Sequence, residues 1–147
     1  MTGMSPAVRP LPDPDYVDFA PFWRGTARGE LSVPGCDSCG TFVWPPRMAC
    51  PSCAGLAFTW RPIGNRGRLY SWTTIGRAMI AGFEADVPYT VVIVEAEDDP
   101  WVRFVGRLAG SGGVPPIGSV LVAEFVACDG VTLVHWRPAP DAPAEGG

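Results

Sequence analysis

The 147-residue chain contains no lysine; all eleven of its basic residues are arginines, set against fifteen acidic ones. The net charge of −4 argues against a bulk electrostatic grip on nucleic acid, which runs on a broad positive surface. Histidine is nearly absent as well. His135 stands alone, and a single strand histidine reads as a packed or edge residue before it reads as a general base. No apolar run reaches the ~18–20 residues of a membrane-spanning helix. The opening MTGMSPAVRPLPDPD lacks the apolar centre of a signal peptide. A cytoplasmic protein with reduced thiols is the resulting expectation. Catalytic signatures are missing too. The serines sit in no strand–turn–helix elbow, and Gly110-Ser111-Gly112-Gly113 lacks the lysine and helix of a phosphate-cradling loop. Independent catalysis is therefore not expected.

Glycine and proline are abundant, at 18 and 17 residues, which suits turns and short strands better than long helices. Residues 1–17, with Pro6, Pro10, Pro12 and Pro14, read as a disordered lead-in. A short helix is expected within 18–30. Pro21 fits its first turn, Asp18 is a candidate cap, and Gly29 a stop. Phe19, Phe22 and Trp23 are much aromatic surface for so short an element. Together with Trp44 they form a candidate partner interface, the alternative being a small packing element. Residues 31–62 form a cysteine unit. Residues 63–138 hold five segments rich in β-branched and aromatic residues, GRLYSWTTIGR, PYTVVIVEAE, WVRFVGRL, GSVLVAEFV and VTLVHWRP, separated by turn signals. Asp129-Gly130 is a tight-hairpin signal. Five strands in ~70 residues predict a small OB-type barrel; a sandwich, which would want about seven, is the alternative. The long connection 76–88 is expected to hold a short helix or a loop, and 139–147 reads as a disordered tail. The fold class is thus mainly β: a short N-terminal helix, a rubredoxin-like zinc ribbon and a five-stranded OB-fold barrel.

The cysteine unit carries the strongest chemical signal. Cys36-x-x-Cys39 and Cys50-x-x-Cys53 place two pairs of sulfurs so that two turns can close around one tetrahedral ion. Thr41–Trp44 is expected to leave the first turn as a strand, Pro45-Pro46 to turn the chain back, and Phe58 and Trp60 to lie on a closing strand. Redox disulfides are the alternative, but one such pair suffices for that role. Four thiolates leave zinc no open position, so the ion would be structural, and it would supply stability that a thirty-residue unit cannot draw from its own core. Cys128 stands apart, as a buried packing residue.

Arg61, Arg66, Arg68 and Arg77 fall in one stretch free of acidic residues, and Arg47 lies on the ribbon turn. Guanidinium forks bind phosphate in bidentate fashion, so Arg47, Arg66, Arg68 and Arg77 are candidates for contacting a phosphate-bearing ligand. The alternative is pairing with Glu or Asp on neighbouring strands. Trp60, Tyr70 and Trp72 would add an apolar wall beside them, or belong to the core.

Ala20-Pro21-Phe22-Trp23, Gly29-Glu30-Leu31, Cys36-x-x-Cys39-Gly40, Trp44-Pro45-Pro46-Arg47, Cys50-Pro51-x-Cys53, Gly67-Arg68-Leu69-Tyr70-Ser71-Trp72-Thr73, Pro88-Tyr89 and Ile117-Gly118 resemble the thiolase-associated zinc-ribbon/OB-fold family, across about residues 18–138. The resemblance implies a non-catalytic accessory subunit of an acyl-CoA-processing complex in lipid or steroid metabolism. It would dock on a thiolase-fold enzyme (thiolase, steroid side-chain aldolase or acyltransferase type) or a hydratase and help form the acyl-CoA site, which makes coenzyme A the phosphate-bearing ligand that Arg47, Arg66, Arg68 and Arg77 would contact. Family members often carry a basic residue just before the first ligand cysteine; here it is Gly35. Two other functions remain open: a nucleic-acid-binding ribbon/OB protein, and a stand-alone acyl-CoA-binding module.

Overall fold

The computed structural model describes residues 8–140. In chain order it contains α1 (Ala20–Ala27), β1 (Ser32–Cys36), β2 (Phe58–Pro62), β3 (Arg66–Ile75), β4 (Tyr89–Ala96), β5 (Arg103–Leu108), β6 (Val120–Cys128) and β7 (Val131–Pro138).

The helix begins as expected with Pro21 in its first turn, but Asp18 does not cap it. Phe19 holds the cap position without a side-chain bond. The Phe19 and Ala20 amides instead donate to the Tyr16 carbonyl, at 2.9 and 2.8 Å, so a preceding backbone turn satisfies the donors a side chain would otherwise serve. At the other end Gly29 has φ +73°. The Gly29 amide donates to the Thr26 carbonyl and the Glu30 amide to the Gly25 carbonyl, the paired bonds of a Schellman stop.

β1 and β2 form the ribbon's antiparallel pair, with Cys36 opposite Phe58 and Ser32 opposite Pro62. Its first strand therefore leads into the first cysteine and ends on it. The expected strand Thr41–Trp44 is reduced to one bridge between Gly35 and Phe42. Two bonds flank that bridge, Cys36 N–H to the Thr41 carbonyl and Val43 N–H to the Pro34 carbonyl. The ladder stops there because Pro34, Pro45 and Pro46 have no N–H to extend it.

The five remaining strands close into a barrel in the order β3-β4-β5-β7-β6, with β6 returning to β3. All pairs are antiparallel except a short parallel contact of β5 with β7, at Arg107↔His135 and Leu108↔Trp136. This is the OB-type barrel expected from the strand count. The β6–β7 hairpin turns at Asp129 and Gly130, both at positive φ, as the Asp-Gly pair predicts. The 76–88 connection contains turns and no helix.

One apolar cluster joins the parts. Phe22 of α1, Leu31 and Val33 at the ribbon base and Ile63 pack with Leu69, Val92, Val94, Phe104, Leu121 and Trp136 of the barrel. A separate small cluster at the ribbon tip holds Cys36, Val43 and Cys50, with Phe58 against it. Asn65 clips the helix exit to the barrel. Its side chain accepts from the Leu31 amide at 3.1 Å and donates to the Gly29 carbonyl at 2.9 Å.

Two expectations concern the termini. Of the lead-in, residues 8–17 lie within the described structure, and Arg9 is held against the barrel by Asp86 of the 76–88 connection. Residues 9–12 border the apolar side chains of Phe22, Trp23 and Leu133. Of the tail, 141–147 lie outside the described residues; Ala139 is buried, its amide donating to the Val120 carbonyl.

Candidate functional site

The two cysteine turns bring Cys36, Cys39, Cys50 and Cys53 together with all four sulfurs within 4.8 Å of one another. Cys36 and Cys53 sulfurs are 3.5 Å apart, and Cys39 and Cys50 sulfurs 3.7 Å. Zinc–sulfur bonds of about 2.3 Å in a tetrahedron place sulfurs about 3.8 Å apart, so the residues fit a zinc ion. Each turn is closed by its own backbone: the Gly40 amide donates to the Cys36 carbonyl and the Ala54 amide to the Cys50 carbonyl. The residue after each pair takes positive φ, +77° at Gly40 and +62° at Ala54.

Charge inside the cage points the same way. The hydroxyl and amide of Thr41 pull the Cys39 thiol down to about 6. The amides of Cys39 and Ser38 lower Cys36. Cys53 is pushed up to about 12: the Gly55 amide favours its thiolate, but crowding by the Cys36 and Cys39 sulfurs wins. Four thiolates so close need a cation to offset their repulsion. Cys36 and Cys50 are buried while Cys39 and Cys53 are exposed, so the cage lies at the ribbon's surface. With four sulfurs it leaves no open coordination position.

Arg61 occupies the ground in front of the first cysteine. Its guanidinium lies directly over Gly35, where any Cβ would collide with it. From there it covers the Phe42 ring, 4.7 Å from the centroid, and donates to the Gly40 carbonyl at 2.7 Å. The positive charge that position 35 itself lacks is supplied from β2.

The four arginines singled out in the sequence are not gathered at one place. Arg66 and Arg68 alternate on β3, both exposed. Arg66 pairs with Glu97 at 3.4 Å, and Arg68 donates to the Gly118 carbonyl at 3.1 Å. Arg77 is exposed in the 76–88 connection. Arg47 lies on the ribbon, beside a groove that also takes in Val17, Met48, Leu56 and Trp60. Tyr70 and Trp72 are not core residues: both are about half exposed. Tyr70 is the residue skipped where the β3–β4 register shifts, and Arg103 lies over its ring at 4.0 Å.

The aromatic candidates turn inward. Phe22 is buried. Phe19 and Phe22 pack on Trp44 at 5.7 and 4.9 Å, Trp23 on Phe22 at 4.9 Å, and Trp44 on Phe104 at 5.4 Å. This set fastens helix and ribbon to the barrel, because each ring finds an aromatic partner within the chain. Exposed apolar side chains occur on the barrel and its loops, at Met79, Ile80, Trp101, Val105 and Ile117, and on the ribbon side, where Val17, Met48 and Leu56 are 79%, 91% and 77% accessible and gather beside one groove.

Sequence reasoning missed a second cluster. Arg9 and Arg107 both donate to Oδ2 of Asp86, and Arg107 lies beside His135 in the β5–β7 pairing. They border a cavity of about 310 Å³ between residues 9–12, α1 and the barrel. Burial and the Arg107 charge hold the His135 pKa below the usual imidazole value. Cys128, assigned to packing, is half-buried with its sulfur 3.8 Å from Arg9. The only sequence hint was Asp86 amid the aromatics Phe83 and Tyr89. No helix among the described residues is long and apolar enough to cross a membrane.

Residues 23–59 match the ChsH2 rubredoxin-like zinc ribbon domain and residues 60–136 the ChsH2 C-terminal OB-fold domain. A curated relative, the benzoylsuccinyl-CoA thiolase subunit BbsA of Thauera aromatica, is 29% identical over 119 residues, spanning 77% of this chain and 78% of its own. A DUF35 domain-containing scaffold protein of Methanocaldococcus jannaschii is 31% identical over 74 residues, half of each chain. Among solved structures, the Ltp2-ChsH2(DUF35) aldolase superposes with a TM-score of 0.74 at 26% identity, covering 88% of this chain and 98% of that one. A DUF35 protein of unknown function from Sulfolobus solfataricus shares the fold, with a TM-score of 0.57 at 13% identity over 84% of this chain and 87% of its own.

Proposed function

This chain belongs to the ChsH2 zinc-ribbon and OB-fold family, and on that premise we propose that it is a non-catalytic accessory subunit that docks on a thiolase-fold enzyme acting on acyl-CoA. The observation that carries the reading is the exposed apolar side of the ribbon. Val17, Met48 and Leu56 stand clear of solvent-side neighbours next to a groove of about 330 Å³ floored by Pro34, Phe58 and Trp60. Large apolar side chains gathered this way beside polar ones mark a surface that a partner covers. A thiolase subunit and an aldolase partner are among the relatives, which gives the partner its class.

The docking face is built on the zinc cage, so the metal fixes its shape. Arg47, at the rim of the same groove, would meet the coenzyme A phosphates where the subunits join; Arg66 is already engaged by Glu97. The partner supplies the nucleophile and the acid–base groups. This subunit's part is to exclude water from the shared channel and hold the acyl group in place, effects that can lower a barrier by several kcal/mol. Nucleic-acid binding gains no support: Arg9, Arg28, Arg66, Arg103, Arg107 and Arg137 each lie within 4 Å of a carboxylate, so cationic surface is scarce.

The test is co-expression with the thiolase-fold enzyme encoded nearest to this chain. Met48→Glu and Leu56→Glu should abolish co-purification while zinc content and melting temperature stay unchanged. Full retention of the complex by the double variant would refute the docking face. Arg47→Ala should raise the KM for acyl-CoA in the complex and leave assembly intact.

A further inference from the structure

The cavity beneath residues 9–12 is lined chiefly by apolar side chains, among them Leu11, Phe22, Trp23, Val105, Leu133 and Val134. Its polar side chains among the described residues are two guanidiniums, one imidazole and one phenol, from Arg9, Arg107, His135 and Tyr89, and no acidic side chain among the described residues lines it. Behind the guanidiniums, the single carboxylate of Asp86 serves both arginines. Arg107 Nη1 reaches Asp86 Oδ2 at 3.1 Å and Arg107 Nη2 the Asp86 carbonyl at 3.4 Å. Arg9 Nη1 donates to the same Oδ2. Two positive charges against one negative leave a net positive charge at the mouth. Each guanidinium has five N–H donors, so both keep donors to spare.

Both arginines are pre-set. Arg9 lies over the Phe83 ring at 5.6 Å and Arg107 over the Tyr89 ring at 4.9 Å. Their side chains are about 30% exposed, so a ligand would find them partly desolvated and already oriented, which cuts the ordering cost of binding. Arg107, Tyr89 and His135 also border a second, more polar cleft of about 450 Å³ beside Gly110, Ser111 and Gly113. Arg107 thus stands at the waist between an apolar chamber and a polar one. The apolar chamber, at about 310 Å³, lies at the small end of the ~300–1,000 Å³ range of ligand sites; it is too small for a whole coenzyme.

We propose that this cavity binds a small amphiphilic carboxylate, with its hydrocarbon or aryl body among Leu11, Trp23 and Leu133 and its carboxylate at the waist on Arg107 and Arg9. The guanidinium forks match a carboxylate in bidentate geometry. The site is independent of the ribbon docking face, so the isolated full-length chain carries it.

Calorimetric titration of the zinc-loaded full-length chain with octanoate and with 1-octanol tests the assignment. Octanoate should bind saturably at one site, at least tenfold more tightly than octanol. Arg107→Gln should weaken octanoate at least tenfold and leave octanol unchanged. Leu133→Trp, which fills the apolar chamber while sparing both arginines, should abolish binding of both. If Arg107→Gln does not fold, Arg9→Gln, outside the strands, carries the same expectation. Absence of saturable octanoate binding at millimolar concentration overturns the proposal. So does equal binding of octanol, displacement of octanoate by equimolar inorganic phosphate, or unchanged octanoate affinity in the arginine variants.

Discussion

Gly35→Ala should change the sign of its effect with the residue at position 61. In the native chain the new methyl group meets the Arg61 guanidinium and must evict it. Eviction forfeits the contact with the Phe42 ring at 4.7 Å, worth about 0.5–1 kcal/mol at an exposed site. It also forfeits the bond to the Gly40 carbonyl at 2.7 Å. A bond from a charged donor is worth about 1.5 kcal/mol, which solvent screening at this exposed position reduces to about 0.5–1 kcal/mol. The total loss is about 1–2 kcal/mol. Against it, replacing a strand glycine by alanine returns about 0.5–1 kcal/mol, and Gly35 does not need a positive φ. Gly35→Ala alone should therefore destabilise by up to about 1.5 kcal/mol, with about 0.75 kcal/mol the midpoint. Arg61→Ala should destabilise by about 1–2 kcal/mol. Adding Gly35→Ala to Arg61→Ala should then restore about 0.5–1 kcal/mol, because nothing is left to evict. Urea denaturation of the four proteins at one fixed free-zinc concentration measures the cycle. An effect of the same sign in both backgrounds would refute the reasoning.

Four further outcomes follow from the same contacts. Ala54→Gly should stabilise by about 0.5–1 kcal/mol, since a left-handed alanine costs about 1–2 kcal/mol and the added chain entropy returns part of that; a lower urea midpoint would contradict it. Asn65→Ala leaves the buried Leu31 amide without its acceptor and should cost about 1–3 kcal/mol, with Asn65→Asp recovering that bond only. Burial works to raise the Asp86 pKa, but the hydrogen bonds and charges of Arg9 and Arg107 outweigh it and hold it below the usual range. Its contribution is thus complete above the unfolded value of about 3.9 and lost as pH falls through the lower folded value. Trp23 fluorescence should report release of residues 9–12 in that acid window, and Asp86→Asn should flatten the transition. Stripping zinc with a chelator should disperse the tip cluster around Val43 and Phe58 while exchange-protected barrel amides persist; simultaneous loss of both would show the barrel to depend on the metal.

What could be read from the sequence was local. The zinc ligands announce themselves within four-residue turns, and Asp129-Gly130 fixes its hairpin because both residues tolerate positive φ. The barrel followed from the number and spacing of β-rich segments. Contacts made only on closure were hidden. Asp86 meets Arg9 across 77 positions, and no pattern in either segment requires the other. Asn65 resembles an ordinary turn residue until the helix exit arrives beside it. β1 was masked by Pro34 and Gly35, which weaken a strand signal, although all five of its residues are buried. Of the helix aromatics that look like a docking patch, Phe22 became core because the barrel offers Phe104 as a partner ring, while Phe19 and Trp23 stay half-buried.

Since Phe22, Leu31 and Val33 lie in the same apolar cluster as Trp136 and Leu121, the ribbon's root cannot swivel without opening the barrel's own interior. An enzyme that seizes the ribbon would thereby also set the bearing of every barrel strand, much as gripping a key by its bow aims the blade.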